Sequence, residues 1–161
     1  MFSKSAEIYD VIYDYKDYAR EAGLLHSLIR DHKRSSGSRL LDVACGTGRH
    51  LTFLREHYNV EGLDLDEGML RVARRRHPEI RFYQADMVEF DLGAQFDTVV
   101  CLFSSIGYVR TEGRMRQAMA CMARHLVPGG VLIVEPWFTP EAWRAGAVNA
   151  LFVDQPELKI A

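Results

Sequence analysis

Three acidic residues each stand at or near the end of a short apolar run, where they could bind one ligand together. Asp42 lies in the first of these runs, Asp64 near the end of the second, and Asp86 directly after the third. Ionised carboxylates only accept hydrogen bonds, so the three suit a ligand that carries donors or positive charge. If the runs are parallel strands, their carboxyl ends share the edge at which such sheets bind ligands.

A glycine loop follows Asp42 and narrows the class of ligand. Residues 42–48 read DVACGTG, in which Gly46 and Gly48 allow backbone torsions and a close approach that a Cβ would block. The third glycine of the dinucleotide fingerprint is absent, because Leu51 occupies its place, and no Lys-Ser or Lys-Thr pair completes a P-loop. A carboxylate at Asp42 would repel a pyrophosphate but suits an ammonium or a sulfonium group. S-adenosylmethionine (SAM) carries both.

The second acid has the spacing of a ribose ligand. Asp64 lies 18 residues after Gly46 (64 − 46), near the ~20-residue separation at which an acid reaches ribose hydroxyls in a Rossmann-like sheet. The alternative is that Asp64 or Asp66 caps the next helix. We assign Asp64 to the ribose and Asp66 to the cap, because Asp64 ends the strand. Met69 begins an apolar helix face that covers the adenine or, equally, packs in the core.

The third acid is assigned to the adenine. Asp86 can accept a hydrogen bond from the adenine amino group, with the Met87 backbone amide facing a ring nitrogen. The alternative is an acid on a surface loop. Each acid alone is weak evidence, but three acids at successive strand ends beside a glycine loop are stronger evidence for a nucleoside-containing cofactor.

Strand-like and helix-like stretches alternate along the chain. The predicted strands are residues 40–45, 60–65, 80–85, 96–103 and 131–135, and the predicted helices between them are 49–58, 67–77 and 112–125. Leading helices cover residues 6–33 with a break near Tyr13, and residues 128–130 (PGG) predict a turn before the fifth strand. This alternation predicts an α/β fold with a doubly wound, Rossmann-like, mostly parallel sheet.

Three parts are expected along the chain. Residues 1–38 form a helical cap over the active site, residues 39–146 the SAM-binding core, and residues 147–161 a partial C-terminal tail. The fifth predicted strand reads as buried, yet nothing after it closes the sheet, and a long apolar edge favours aggregation. We therefore expect a chain that lacks the C-terminal strands of the complete fold, with its activity in doubt.

Composition excludes several other classes of protein. The formal net charge of −2 gives no bulk attraction for nucleic acid or an anionic membrane. Three scattered cysteines and a polar N-terminus without an apolar leader indicate a reducing, cytoplasmic location. No apolar run is long enough to span a membrane, and no Cys/His spacing suits a metal. Arg71, Arg74, Arg75, Arg76 and the neighbouring His77 are interpreted as a solvated helix face.

The motifs together resemble a known family. LLDVACGTG, GLDLDEGML, QADM and VPGGVLIVEPW resemble the class I SAM-dependent methyltransferases in order and spacing. Through AEIYDVIYDYKDY, ARRRHPE, FSSIGY and EPWF, residues 6–145 are most similar to bacterial N,N-dimethyltransferases of nucleotide-linked amino sugars. Related methyltransferases of unassigned substrate share these motifs.

This resemblance implies roles for further residues. It implies that Tyr9 and Tyr18 bind the carboxylate end of the methionine moiety, and that Ala44, Gly46 and Gly48 line the cofactor. The Leu102 backbone faces the cofactor amino group, at a place where the family often has Met. The residues implied to line the rest of the site are Phe103, Ser104, Ser105, Tyr108, Trp137 and Phe138.

The expected reaction is methyl transfer to a small molecule, the amine of a nucleotide-linked amino sugar. Tyr108 orients the amine or is a packing tyrosine, and some relatives carry His there. The alternatives are an O- or C-methyltransferase, a truncated non-catalytic SAM-binding module and an NAD-dependent oxidoreductase, against which Asp42 and the missing third glycine argue. We expect a small-molecule substrate, no nucleic acid, no membrane and no metal. The oligomeric state stays open, with a homodimer as one candidate.

Overall fold

The core of the fold is a parallel sheet whose strands alternate with helices. The computed structural model describes residues 6–137, 141, 153–155 and 158–160. The elements are α1 (Ala6–Ile12), α2 (Tyr18–His32), β1 (Arg39–Val43), α3 (Leu51–Leu54), β2 (Asn59–Asp64), α4 (Glu67–Arg76), β3 (Arg81–Gln84), β4 (Phe96–Cys101), a 3₁₀ helix (Ser105–Val109), α5 (Glu112–Arg124), β5 (Leu126–Val134), β6 (Val153–Gln155) and β7 (Leu158–Ile160).

The strand order confirms the predicted doubly wound topology. Strands β1 to β5 pair in parallel in the order β3-β2-β1-β4-β5. The order reverses between β1 and β4, and ligands bind outside the carboxyl ends of strands at such a switch point. β5 is an edge of this sheet, and β6 and β7 form a separate antiparallel pair.

Helices cover both faces of the sheet and bury β1 between them. Successive residues of a strand point to opposite faces. Leu40 packs in one core cluster with Ile29 of α2, and Leu41 packs in the other with Met122 of α5, and all four are fully buried. Because both faces hold β1, the position of Asp42 at its end is well fixed.

The break between the leading helices occurs where the sequence predicts it. α1 ends at Ile12 and α2 begins at Tyr18. The side chain of Asp17 accepts a hydrogen bond from the Arg20 amide at 2.9 Å, so a capping residue starts the second helix.

Two predicted boundaries are wrong for local reasons. α3 spans only Leu51–Leu54 rather than residues 49–58, because the chain turns after Leu54 to enter β2. β4 ends at Cys101 rather than residue 103. Phe103 and Ser104 have φ angles of 53° and 57°, a left-handed conformation that a strand cannot adopt.

The predicted turn at residues 128–130 is also wrong. These residues lie inside β5, where the pairing with β4 shifts register between Phe96 and Thr98. Gly129 has a φ of 79°, and its carbonyl accepts hydrogen bonds from the amides of Arg34 and Ser35 at 2.8 and 2.9 Å. The Pro-Gly-Gly sequence therefore forms an irregularity within the strand rather than a turn before it.

No helix in the described part of the chain has the length and apolar character needed to cross a bilayer. Nor do three or more His, Cys, Asp or Glu side chains of those residues gather as a metal site would require.

Candidate active site

A cavity lies at the carboxyl ends of β1 and β4, with α1 and α2 contributing to its wall. Six of the eleven predicted cofactor residues line it, and the other five, Gly48, Asp64, Met69, Asp86 and Met87, do not. The six are Tyr9, Tyr18, Asp42, Ala44, Gly46 and Leu102. Phe103 and Ser105 line it as well. The topology thus brings together residues that are up to 96 positions apart (105 − 9).

The glycine loop is held in shape by Asp64. One carboxylate oxygen of Asp64 accepts a hydrogen bond from the Gly46 amide at 2.8 Å, and the other accepts one from the Asp66 amide at 2.9 Å. Gly46 has a φ of 56°, and apart from its two chain neighbours no described residue has a heavy atom within 4 Å of the place where its Cβ would stand. Asp64 therefore fixes a loop whose backbone is open to a ligand.

Asp42 is a buried carboxyl that faces this cavity. Only 2% of its surface is exposed, and the residue lines the cavity. Burial, and to a lesser extent the negative charge of Asp64, raises its pKa to about 8. Burial also raises the pKa of Asp64. A buried carboxyl in the cavity wall with a second carboxyl near it favours a cationic ligand.

Two phenols stand in the same cavity. Burial raises the pKa of Tyr9 far above its usual range, and it raises the pKa of Tyr18 to about 12. Both hydroxyls therefore keep their protons at neutral pH. A protonated phenol can donate a hydrogen bond to a carboxylate, as the predicted roles of these residues require.

The second glycine of the loop has a packing role rather than a place in the cavity wall. Gly48 has a φ of 75°, and a Cβ there would lie 3.3 Å from the ring of His77. His77 is 2% exposed, and its Nε2 lies 3.1 Å from the Gly48 carbonyl oxygen. The prediction of a solvated His77 is therefore wrong, because the glycine loop covers it.

The N-terminal capping residue of α4 is the one that the sequence predicts. Asp66 accepts a hydrogen bond from the Met69 amide at 3.1 Å, which confirms Asp66 as the capping residue. Met69 itself is buried at the start of α4 and does not line the cavity. Its contact with adenine, and that of Asp64 with ribose, stay predictions.

Asp86 and Met87, the two residues assigned to the adenine, do not line the cavity. Asp86 forms an ion pair with Arg114 at 2.9 Å, and its other oxygen accepts a hydrogen bond from the Val88 amide at 3.1 Å. Met87 is partly buried against the core cluster beneath α5. An adenine amino group would therefore share the Asp86 carboxylate with Arg114.

The loop after β4 is fastened to the end of β5. The backbone amide of Phe103 donates to Glu135 Oε2 at 2.7 Å, and the Ser104 hydroxyl donates to the Pro136 carbonyl at 3.0 Å. These two bonds hold Phe103 and Ser104 in their left-handed conformations. Sequence reasoning assigned no role to Glu135, although it opens the EPW motif.

Two of the predicted acceptor-site residues are exposed aromatics close to this loop. Trp137 packs on Gly107 and is 54% exposed, and Tyr108 is 57% exposed. Neither lines the cavity. Both side chains are thus more than half exposed. Phe138 lies outside the described residues.

Charged residues that the sequence did not single out complete the cavity wall. Arg49 and His50 line it, and the Arg49 guanidinium lies 4.7 Å from the ring centroid of Tyr18. His50 Nε2 lies 2.8 Å from a carboxylate oxygen of Glu21, whose other oxygen accepts from Lys16 at 2.7 Å. Arg49 and His50 directly follow the glycine loop in sequence, and this position is the sequence signal from which their place in the cavity wall could have been predicted.

One arginine of the basic run does not belong to a solvated face. Arg76 donates hydrogen bonds to the Thr47 carbonyl oxygen and to the carboxylate of Asp10. Thr47 is 1% exposed and lines the cavity. The end of α4 therefore contacts both the glycine loop and α1, so the interpretation as a solvated face is wrong for Arg76.

Comparison with known proteins confirms the resemblance that the motifs indicate. The model of a family described as a methyltransferase domain matches residues 40–130. The chain is 47% identical over 148 residues to the dTDP-3-amino-3,4,6-trideoxy-alpha-D-glucopyranose N,N-dimethyltransferase of Streptomyces venezuelae, covering 90% of this chain and 62% of that protein. It is 42% identical over 159 residues to the dTDP-4-amino-2,3,4,6-tetradeoxy-D-glucose N,N-dimethyltransferase of Saccharopolyspora spinosa, covering 97% and 64%.

Solved structures agree with these relatives. The crystal structure of Streptomyces venezuelae DesVI matches with a TM-score of 0.87 and 44% identity over 94% of this chain and 65% of that one. SAM-bound CalS10, an amino pentose methyltransferase from Micromonospora echinaspora, matches with a TM-score of 0.85 and 42% identity over 92% and 64%. The chain thus spans less than two thirds of the length of these relatives, and it belongs to the methyltransferase-domain family.

Proposed function

We propose that this chain binds SAM and serves the transfer of a methyl group to the amine of a nucleotide-linked amino sugar. The observation that carries this proposal is the buried Asp42 carboxyl, which lines the cavity and interacts electrostatically with the nearby Asp64 carboxyl. A cationic ligand would neutralise that carboxylate, as the ammonium and sulfonium groups of SAM can. The names of the amino sugar N,N-dimethyltransferases that resemble the chain support an amine as acceptor.

The residues present fit this cofactor. Asp42 supplies the negative charge, the protonated phenols of Tyr9 and Tyr18 supply donors for a carboxylate, and the open side of Gly46 admits close contact. Each oxygen of Asp64 accepts one backbone amide and retains a lone pair for a ribose hydroxyl. The further proposed cofactor residues are Ala44, Gly48, Met69, Asp86, Met87 and the Leu102 backbone.

The main contribution of the chain to the proposed reaction is to position the reacting groups. SAM brings an activated methyl group together with its own leaving group. The chain must therefore exclude water and orient the amine for in-line attack, rather than supply a strong base. We assign the orienting role to Tyr108 and contacts with the acceptor to Ser104, Trp137 and Phe138. The exposed faces of Tyr108 and Trp137 support this assignment, since both are accessible next to the loop after β4.

The proposal extends to the organisation of the chain. Residues 1–38 act as a cap, residues 39–146 as the cofactor-binding core and residues 147–161 as a partial tail. We propose a cytoplasmic protein that acts on a small molecule and not on nucleic acid, with a homodimer as one candidate assembly. Cofactor binding needs only the part of the fold described above, whereas turnover also depends on residues that hold the acceptor.

Radioactive methyl transfer from labelled SAM tests the acceptor class. The panel contains nucleotide-linked amino sugars, the matching sugars with hydroxyl in place of amine, phenols and carboxylic acids. We expect label in the amino sugars alone. Label in a phenol or an acid but not in an amine would contradict the proposal and indicate an O-methyltransferase. SAM binding without transfer to any acceptor, also in a chain extended to the length of its relatives, would favour a non-catalytic binding module.

A further inference from the structure

The helix that carries Tyr9 is short and needs an anchor. α1 has seven residues, Ala6–Ile12, and isolated helices shorter than about 12 residues are marginal in water. Tyr9 nevertheless lines the cavity, so contacts with the rest of the protein must fix the helix.

Asp10, the residue after Tyr9, provides a contact with the glycine loop. One of its carboxylate oxygens accepts a hydrogen bond from the Thr47 hydroxyl at 2.6 Å. Thr47 lies between Gly46 and Gly48 and itself lines the cavity. The helix is therefore bonded to the loop on which the proposed cofactor rests.

The other oxygen of Asp10 contacts α4. Arg76, the last residue of that helix, donates to this oxygen and also to the Thr47 carbonyl. The side chains of Asp10 and Arg76 are 17% and 27% exposed. Such a partly buried, charge-assisted pair contributes more than a solvated one, because water competes less for its hydrogen bonds.

A second ion pair near α1 is much more exposed to solvent than the pair between Asp10 and Arg76. Asp14, which follows α1, lies 3.2 Å from Arg49, but its side chain is 72% exposed. Exposed pairs of this kind contribute little to stability. Asp14 is therefore a matched control for Asp10, with the same residue type, an arginine partner and a position four residues further along the chain.

We propose that Asp10 is a positioning residue that holds Tyr9 against the cofactor cavity through Thr47 and Arg76. This inference rests on the proposed function, and it gives a role in cofactor binding to Asp10, which does not line the cavity. Without the anchor, α1 samples positions in which Tyr9 no longer contacts the cofactor, and the apparent affinity falls with the fraction of molecules that remain competent.

Calorimetric titration with SAM tests the role of Asp10 in a double-mutant cycle with Tyr9. The variants are Asp10→Ala, Tyr9→Ala, the double substitution, and Asp14→Ala as control. We expect Asp10→Ala to raise the Kd for SAM by about tenfold, the effect of one charge-assisted hydrogen bond. The double variant should bind no more weakly than Tyr9→Ala, because Asp10 acts through Tyr9. Asp10→Asn, which retains an acceptor for Thr47, should lie between Asp10→Ala and wild type.

Hydrogen exchange of the free protein separates this inference from the proposed function. Asp10→Ala should speed amide exchange over residues 6–13 and leave the strands of the parallel sheet unchanged. Unchanged exchange, or Kd effects that simply multiply in the double variant, would overturn the inference, as would an equal loss of affinity in Asp14→Ala. If the wild-type chain bound no SAM, the proposed function would fail, and the exchange rates would still decide whether Asp10 anchors α1.

Discussion

Trp137 occupies the space that a side chain on Gly107 would need. A Cβ on Gly107 would lie 2.1 Å from Trp137 Nε1, well inside any permitted contact. Because Gly107 has no side chain, the indole packs directly against the 3₁₀ helix that carries Tyr108. The two aromatic residues assigned to the acceptor thus depend on one glycine for their relative placement.

Gly107→Ala should therefore disturb the acceptor site and leave the cofactor site intact. The new methyl group must displace Trp137, so we expect the KM for the amine to rise several-fold while the Kd for SAM changes little. Steady-state kinetics and SAM titration measure the two effects. Gly113→Ala is the control, because a Cβ at Gly113 in α5 meets no atom within 4 Å. A change in SAM affinity equal to the change in KM would contradict the assignment.

Glu135 should be required as a hydrogen-bond acceptor rather than as a charge. Glu135→Leu removes the acceptor of the Phe103 amide, and because this bond is exposed and water can replace Glu135, we expect a loss of about 0.5–1.5 kcal/mol of unfolding free energy. Glu135→Gln retains an acceptor and should cost less. Urea unfolding measures both, with the exposed Glu56→Gln as control. Equal losses in Gln and Leu variants would mean that the negative charge itself matters.

The affinity for SAM should rise with pH. Asp42 has a pKa of about 8 in the free protein and binds a cation in its ionised form, so the complex must release its proton near neutral pH. We expect affinity to increase from pH 6 to pH 8 and proton release to appear in titrations in buffers of different ionisation enthalpy. Asp42→Asn should weaken binding and remove most of this pH dependence. A wild-type affinity that is flat over this range would refute the role of Asp42.

The same shift has an opposite consequence for the stability of the free protein. The folded chain keeps a proton on Asp42 up to about pH 8, whereas the ordinary pKa of an aspartate carboxyl is 3.8. Between these values the folded state holds the additional proton on Asp42, so this residue makes the unfolding free energy fall as pH rises. His50 and His77, whose pKa is lowered by burial, act in the opposite direction. Urea unfolding from pH 5 to pH 8 should therefore show a more negative slope of unfolding free energy against pH in wild type than in Asp42→Asn. Asp64, whose pKa is also raised, retains part of the slope.

The sequence predicts the parallel sheet and much of the cavity because these depend on local signals. Apolar runs, the glycine loop and an acid at a strand end specify where Asp42, Ala44 and Gly46 lie. The same local logic finds Asp66, whose cap involves only its own helix. The predicted ligands of these residues, in contrast, await measurement.

Long-range contacts are what the sequence could not reveal. Arg76 and His77 end a helix in a basic run, which locally favours a solvated face. Asp10 is 66 residues away from Arg76 in sequence, and Gly48 is 29 residues away from His77. Only the folded chain brings these groups together, so no local pattern indicates their burial.

Titration of the chain with SAM and with S-adenosylhomocysteine, in wild type and in Asp64→Ala, tests the central claim most directly. Asp64 holds the glycine loop and is proposed to hold the ribose, so its loss should weaken binding by more than about tenfold. Asp31→Ala, an exposed carboxylate on α2, is the control. The account predicts roughly micromolar binding of both ligands to wild type and a strong loss in Asp64→Ala alone. Absence of binding to a folded wild-type chain, or equal binding to Asp64→Ala, would contradict it.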